Sequence, residues 1–121
     1  MLPELTTMTL VKIPASAVAG AGTNRIFADC PTGANLRVVA VINGNTGNQD
    51  FRIDLASIGN NVNDSDLNAI PLLHGTQDGL KTVVLQMNGN GLEMSDWRRV
   101  VATFYNCTAN DGIALAVGYE I

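Results

Sequence analysis

The 121-residue sequence predicts an all-β protein, a single-domain β-sandwich of jelly-roll type with about eight short antiparallel strands. Three observations predict it. Apolar residues recur with a period of two rather than 3.6, the pattern of a strand with one buried face. Thirteen Asn and twelve Gly fall mostly between the apolar runs, where turns need residues that tolerate positive φ. The runs themselves follow one another at short, regular spacing. Hydrophobic residues make up 46% and charged residues 15%, the opposite of the balance that keeps a chain disordered.

Residues 1–8 read as an N-terminal arm, with apolar Leu2, Leu5 and Met8 and a rigid Pro3, and residues 9–121 as the sandwich domain. Strands are expected over residues 7–13, 24–29, 35–43, 50–55, 70–74, 80–87, 97–105 and 113–120. In the third, Leu36, Val38, Ala40 and Ile42 would share one face; in the fourth, Phe51, Ile53 and Leu55 alternate with Asp50, Arg52 and Asp54. Between these two, Asn43, Gly44, Asn45, Gly47 and Asn48 supply the chemistry of a hairpin loop. Clusters at Pro31-Thr32-Gly33, Gln77-Asp78-Gly79, Asn88-Gly89-Asn90-Gly91 and Asn110-Asp111-Gly112 mark further turns. Short helix-like pieces are confined to residues 15–19, after Pro14, and a turn near 56–58.

Seven Lys and Arg against eleven Asp and Glu leave a net charge of −4, with no basic run longer than Arg98-Arg99. A phosphate-neutralising nucleic-acid partner is therefore not expected. The first residues lack the positive and apolar regions of a secretory signal, and no apolar stretch approaches the roughly 20 residues of a membrane helix. Cys30 and Cys107 have no Cys-x-x-Cys spacing and are expected as two solitary thiols, one bridge being the alternative.

No catalytic signature emerges, and no cofactor or metal is expected. A lone His74 excludes chemistry that needs two imidazoles and fits a solvated or structurally bonded role better than a general base beside Asp78. None of Ser16, Ser57, Ser65 and Ser95 sits in a Gly-x-Ser-x-Gly elbow. The Asn- and Asp-rich residues 60–68 invite comparison with a calcium loop. Counted as an EF-hand from Asp64, that loop has Ala69 where Gly is required and Gly75 where the bidentate Glu belongs. Asn63-Asp64-Ser65 and Asn106-Cys107-Thr108 match a glycosylation sequon, which matters only in a secreted eukaryotic protein. Asp50 and Asp54 share a strand face, but Arg52 stands between them, so charge compensation on a wet surface explains the trio better than a glycosidase pair. A carbohydrate-binding module would need exposed aromatic platforms, for which Trp97, Tyr105 and Tyr119 are the candidates.

Two strands carry apolar or small residues on both faces. In residues 97–105 the inward set is Val100, Ala102 and Phe104, leaving Trp97, Arg99, Val101, Thr103 and Tyr105 on the other side. In residues 113–120, Ile113, Leu115, Val117 and Tyr119 oppose Ala114, Ala116 and Gly118. A face wetted by solvent normally carries charges, so a second cover is expected, from a loop or another subunit.

The apolar run Val38 to Asn45, its pairing with Phe51 to Leu55, and the following Ile70-Pro71-Leu72-Leu73 resemble the small single-jelly-roll virion proteins of bacteriophages. These are the capsid decoration (cement) proteins and the related penton or head-spike proteins. The resemblance spans roughly residues 36–105 and departs from the pattern in the long polar loop 59–68 and in Ile70 before Pro71, which favours decoration over penton. It implies a non-enzymatic homo-oligomer, a trimer by preference, that sits on the capsid exterior and bridges major capsid protein subunits, made in the host cytoplasm, with neither nucleic acid nor membrane as partner. Leu2, Leu5, Trp97, Arg99, Val101 and Tyr105 are then the expected contact residues, because aromatic and Arg side chains dominate interface energetics. The alternative is a carbohydrate-binding or receptor-binding sandwich.

Overall fold

Alternating apolar residues form strands here because one side of each is buried against a second sheet. The computed structural model describes residues 9–12, 19–44, 50–57, 69–76, 81–87, 91–94 and 96–120. In chain order the strands are β1 (Thr9–Lys12), β2 (Gly22–Asp29), β3 (Asn35–Asn43), β4 (Asp50–Ala56), β5 (Ala69–Thr76), β6 (Lys81–Gln86), β7 (Leu92–Glu93), β8 (Arg99–Cys107) and β9 (Ile113–Glu120). All eight expected strands are present, their ends shifted by a few residues; β7, at two residues, is too short to show a period. Among the described residues there is no helix. The arm over residues 1–8, and with it Leu2 and Leu5, lies outside the described residues, as does most of the expected helix-like piece at 15–19.

Two antiparallel sheets result, one in the order β1-β9-β3-β6 with β7 beside β3, the other in the order β2-β8-β4-β5. The pairs β1·β9, β2·β8, β3·β6 and β4·β5 are nested, so the chain runs as one long folded ribbon whose tip lies between β4 and β5. Inner faces of both sheets supply a single core. Leu36, Val39, Val41, Leu115 and Val117 come from one sheet, and Phe51, Ile53, Leu55, Val100, Ala102 and Phe104 from the other.

Two expectations need correction. The segment after Asn43 does not close a hairpin. β3 pairs with β9, β6 and β7 whereas β4 pairs with β8 and β5, so this connection carries the chain from one sheet to the other. Gly is needed there for another reason: the Gly44 amide donates to the Gly112 carbonyl at 2.9 Å, and a Cβ on Gly44 would overlap that oxygen. Crossover and hairpin loops draw on the same turn residues, so local composition does not separate them.

The second correction concerns the phase of β3. A bulge between Leu36 and Val38 shifts the register against β9 and inverts the alternation. Leu36, Val39, Val41 and Asn43 point inward, while Val38 and Ala40 are half-buried and Ile42 is 48% exposed. Of the stripe Leu36, Val38, Ala40 and Ile42, only Leu36 is core. The inward sets of β4, β8 and β9 are as expected.

Cys30 and Cys107 are free and buried. Cys107 lies opposite Gly22, and Cys30 follows Asp29, which lies opposite Arg99. The thiols therefore sit at opposite ends of a ladder roughly 25 Å long, far beyond the reach of a disulfide. Burial, and secondarily Asp29, pushes the Cys30 thiol from 9.0 up to about 11, although Arg98 opposes this. In the unfolded chain the same thiol ionises near 9, so between the two values the unfolded state holds fewer protons and stability falls as pH rises. A loss of about 1–3 kcal/mol is expected between pH 9 and 11. Urea titrations at the two pH values should reveal it, and Cys30→Ala should flatten the slope. Two thiols per chain, slow to titrate until the protein unfolds and unchanged by reductant, are the matching chemical result.

Candidate functional site

Each sheet turns one face away from the core, and these two outer faces differ in chemistry. Across the β1-β9-β3-β6 sheet the register sets Val38 beside Gly118 and Gln86, Ala40 beside Ala116 and Val84, and Ile42 beside Ala114. Leu10 and Lys12 hold the corresponding positions on β1, opposite Gly118 and Ala116. The charged residues of this face lie at its margins, Lys12 on β1 and the Arg37–Glu120 ion pair at the bulged end, leaving Val38, Ala40, Ile42, Val84, Ala114 and Ala116 as an uncharged centre. Ile42 and Val84 are 48% and 56% exposed, although a solvated sheet face ordinarily alternates toward polar residues. The Ala and Gly column of β9 keeps the middle low, so the surface is flat enough for another sheet to pack about 10 Å away.

The bulge that inverts β3 also shapes the end of this face. Arg37, Val38, Gln86 and Met87 line a shallow open cleft of about 270 Å³. The Met87 amide donates to the Arg37 carbonyl at 2.8 Å, and Arg37 is ion-paired to Glu120 at 2.8 Å. Ala114 and Gly118 are themselves buried within the apolar patch, to which strand spacing gives a footprint of roughly 300–400 Å². That is the size at which an apolar patch begins to mark an interaction surface, and less than the ~800 Å² per partner of a stable interface.

The outer face of the β2-β8-β4-β5 sheet is ionic and self-compensated. Nε and Nη2 of Arg52 each donate to the Asp54 carboxylate at 2.7 Å. Arg99 donates to Asp29 at 2.7 and 3.0 Å, and its guanidinium lies 4.3 Å above the Phe27 ring. Asp54 is fully buried while the Arg52 side chain is 31% exposed, so the Asp50, Arg52 and Asp54 face is compensated in charge as expected but only partly wet. The bond to Asp54 holds Arg52 protonated far above neutral pH.

The expected contact residues divide between these settings. Arg99, Val101 and Tyr105 share the outer face of β8, as their alternation requires. Val101 is fully buried within its own chain between Phe27 of β2 and Asp54 of β4, so it offers no surface. Trp97 precedes β8 and is half-buried; next to it Arg98 donates through Nη1 to the Cys30 carbonyl at 2.8 Å. Tyr119, a candidate aromatic platform, packs inward with the core. His74 stands opposite Arg52 in the register of β5, and residues 60–68 lie outside the described residues. Val84 and Ile42 are the surface residues that the sequence reading missed. An unbulged β3 would have turned Ile42 inward, and no local signal marks β6 as the neighbour of β3.

A nucleophilic role for the thiols is poorly served. With its thiol held near 11, Cys30 would be about one part in ten thousand thiolate at neutral pH. No protein-family model matches the chain, and no curated protein matches it significantly.

Proposed function

We propose that this chain is a non-enzymatic structural protein of a virus particle, a capsid decoration protein that self-associates and bridges major capsid protein subunits. The observation that carries the reading is the uncharged centre of the outer face of the β1-β9-β3-β6 sheet, with Ile42 and Val84 exposed upon it. Water is a poor neighbour for that face, and an apolar partner surface a good one. The nested strand pairs support the same reading, because a double-sheet jelly roll is built that way and viral capsid domains use it.

The patch is too small to hold a partner tightly alone, and this suits a decoration role. A trimer at a three-fold position offers three copies of each weak contact, and the second and third bind at high effective concentration. Arg99 and Tyr105 on the opposite sheet, with Trp97 beside it, are the proposed contacts of the second face.

Native mass measurement tests the proposal on the intact chain. The wild type should run as a trimer, and Ile42→Glu or Val84→Glu should return it to a 12.8 kDa monomer. Burying an unpaired carboxylate in the interface should weaken association at least about 100-fold, while far-ultraviolet circular dichroism of the dissociated variants keeps the β signal of the wild type. A wild type that stays monomeric at high concentration would sink the reading. Glycan binding by that monomer, lost in Trp97→Ala, would favour a carbohydrate-binding module instead.

A further inference from the structure

One row on the outer face of the β2-β8-β4-β5 sheet is left with unmet hydrogen-bonding groups. Arg25 of β2, Thr103 of β8 and Arg52 of β4 stand side by side in register. Arg52 is committed to Asp54, and Arg99, two rows away, is committed to Asp29. Arg25 has no such ion pair among the described residues, and its Nε is buried and makes no hydrogen bond. The neighbouring Thr103 hydroxyl makes none either, on a residue that is 0% exposed. Both are donors, and buried donors are rarely left without acceptors.

We propose that this row is an oxyanion site, in which Arg25 and the Thr103 hydroxyl take a single carboxylate or phosphate group. The chemistry of the row selects the ligand. A guanidinium presents donors in a fork that matches two oxygens of an oxyanion, and the hydroxyl adds a third donor beside it. Arg52, pinned by Asp54, forms a rigid wall. Arg25 lies on the edge strand, is half-buried and can swing outward to open the row. The Arg25 and Arg52 backbones are roughly 10 Å apart across one intervening strand, so the ligand would take the space that Arg25 vacates, which suits one small group and not a polyanion. Of the other acidic residues on this face, Asp29 and Asp54 are ion-paired, and Asp50 lies one row further along on β4, about 12 Å from Arg25. The site is on the opposite side of the sandwich from the apolar patch and stands independently of the proposed assembly.

Thermal unfolding of the full chain in chloride, acetate and phosphate at matched ionic strength tests it. Phosphate also stabilises proteins by exclusion from their surface, so the readout is the difference between variants. The wild type should gain a saturable increase in Tm from phosphate, and from acetate if carboxylates are accepted. Thr103→Val, which keeps the shape and removes the unmet hydroxyl, should melt higher than wild type in chloride and bind phosphate at least 10-fold more weakly. Arg25→Gln should lose the phosphate increment as well, whereas Arg37→Gln, which removes a guanidinium from the other sheet, should keep it. Equal phosphate increments in wild type, Thr103→Val and Arg25→Gln would overturn the site, as would an Arg25 Nε–H resonance that phosphate does not move.

Discussion

Phe104→Ala is expected to lower the unfolding free energy by about 3–5 kcal/mol, the range for emptying a fully buried aromatic position. Phe104 is 0% exposed and lies in the centre of its sheet, in register with Phe51 on β4 and Asn24 on β2. Its side chain enters the space between the sheets, where Phe51 is also fully buried and the strands leave few ways for the cavity to collapse. Domains of this size are stable by only about 5–15 kcal/mol, so one such cavity consumes a large share. The melting temperature should fall by about 10–20 °C. Val84→Ala, at a position exposed in the single chain, should cost well under 1 kcal/mol in a melt run at concentrations where the protein is monomeric. A Phe104→Ala loss as small as that of Val84→Ala would mean that the two sheets do not share the core described above.

The contrast between these two valine and phenylalanine positions bears on what a sequence makes legible. Phe51, Ile53 and Leu55, and Val100, Ala102 and Phe104, could be placed inward because alternation survives intact along β4 and β8. On β3 one bulged residue breaks the count. After Leu36 the inward set becomes Val39, Val41 and Asn43, and a buried Asn is the last residue that an apolar pattern would nominate. Strand partners are harder still. The neighbours of β3 are β9, β6 and β7, all distant in sequence, and nothing local distinguishes them from the adjacent β4. The hairpin wrongly expected after Asn43 and the missed Ile42–Val84 patch share that origin. Each depends on which non-local strand lies alongside, and so on long-range packing rather than on the turn between neighbours.

The ionic face was legible in composition but not in setting. Asp29 and Arg99 are 70 residues apart in sequence, so their pairing follows only once β2 and β8 are aligned. Arg52 and Asp54 are two apart on one strand, and their pairing follows from alternation alone. What alternation does not reveal is depth. Asp54 sits between Val101 of β8 and Pro71 of β5, and neighbours on both sides exclude water from it. Thr103 is fully buried between the half-buried Arg25 and Arg52, so the row is dry at its centre and partly hydrated at its flanks.

That depth makes the Asp54–Arg52 pair the second place where a single change should be costly. Asp54→Ala is expected to destabilise the chain by about 2–4 kcal/mol. Truncation leaves the guanidinium without its two 2.7 Å acceptors while much of it stays shielded from water. The lower half of that range is favoured by the Arg52 side chain, which is 31% exposed and can recover part of its hydration. Arg52→Leu should cost at least as much, because the carboxylate it abandons is fully buried and cannot reach solvent. The double variant Asp54→Leu with Arg52→Leu removes both charges, and a buried pair replaced by apolar groups is often nearly neutral. Its loss should therefore be smaller than the sum of the single losses by about 2 kcal/mol or more, a coupling that a double-mutant cycle in urea reads directly. If the losses simply add, the two side chains do not act as a pair, and the ionic face next to Thr103 has to be redrawn.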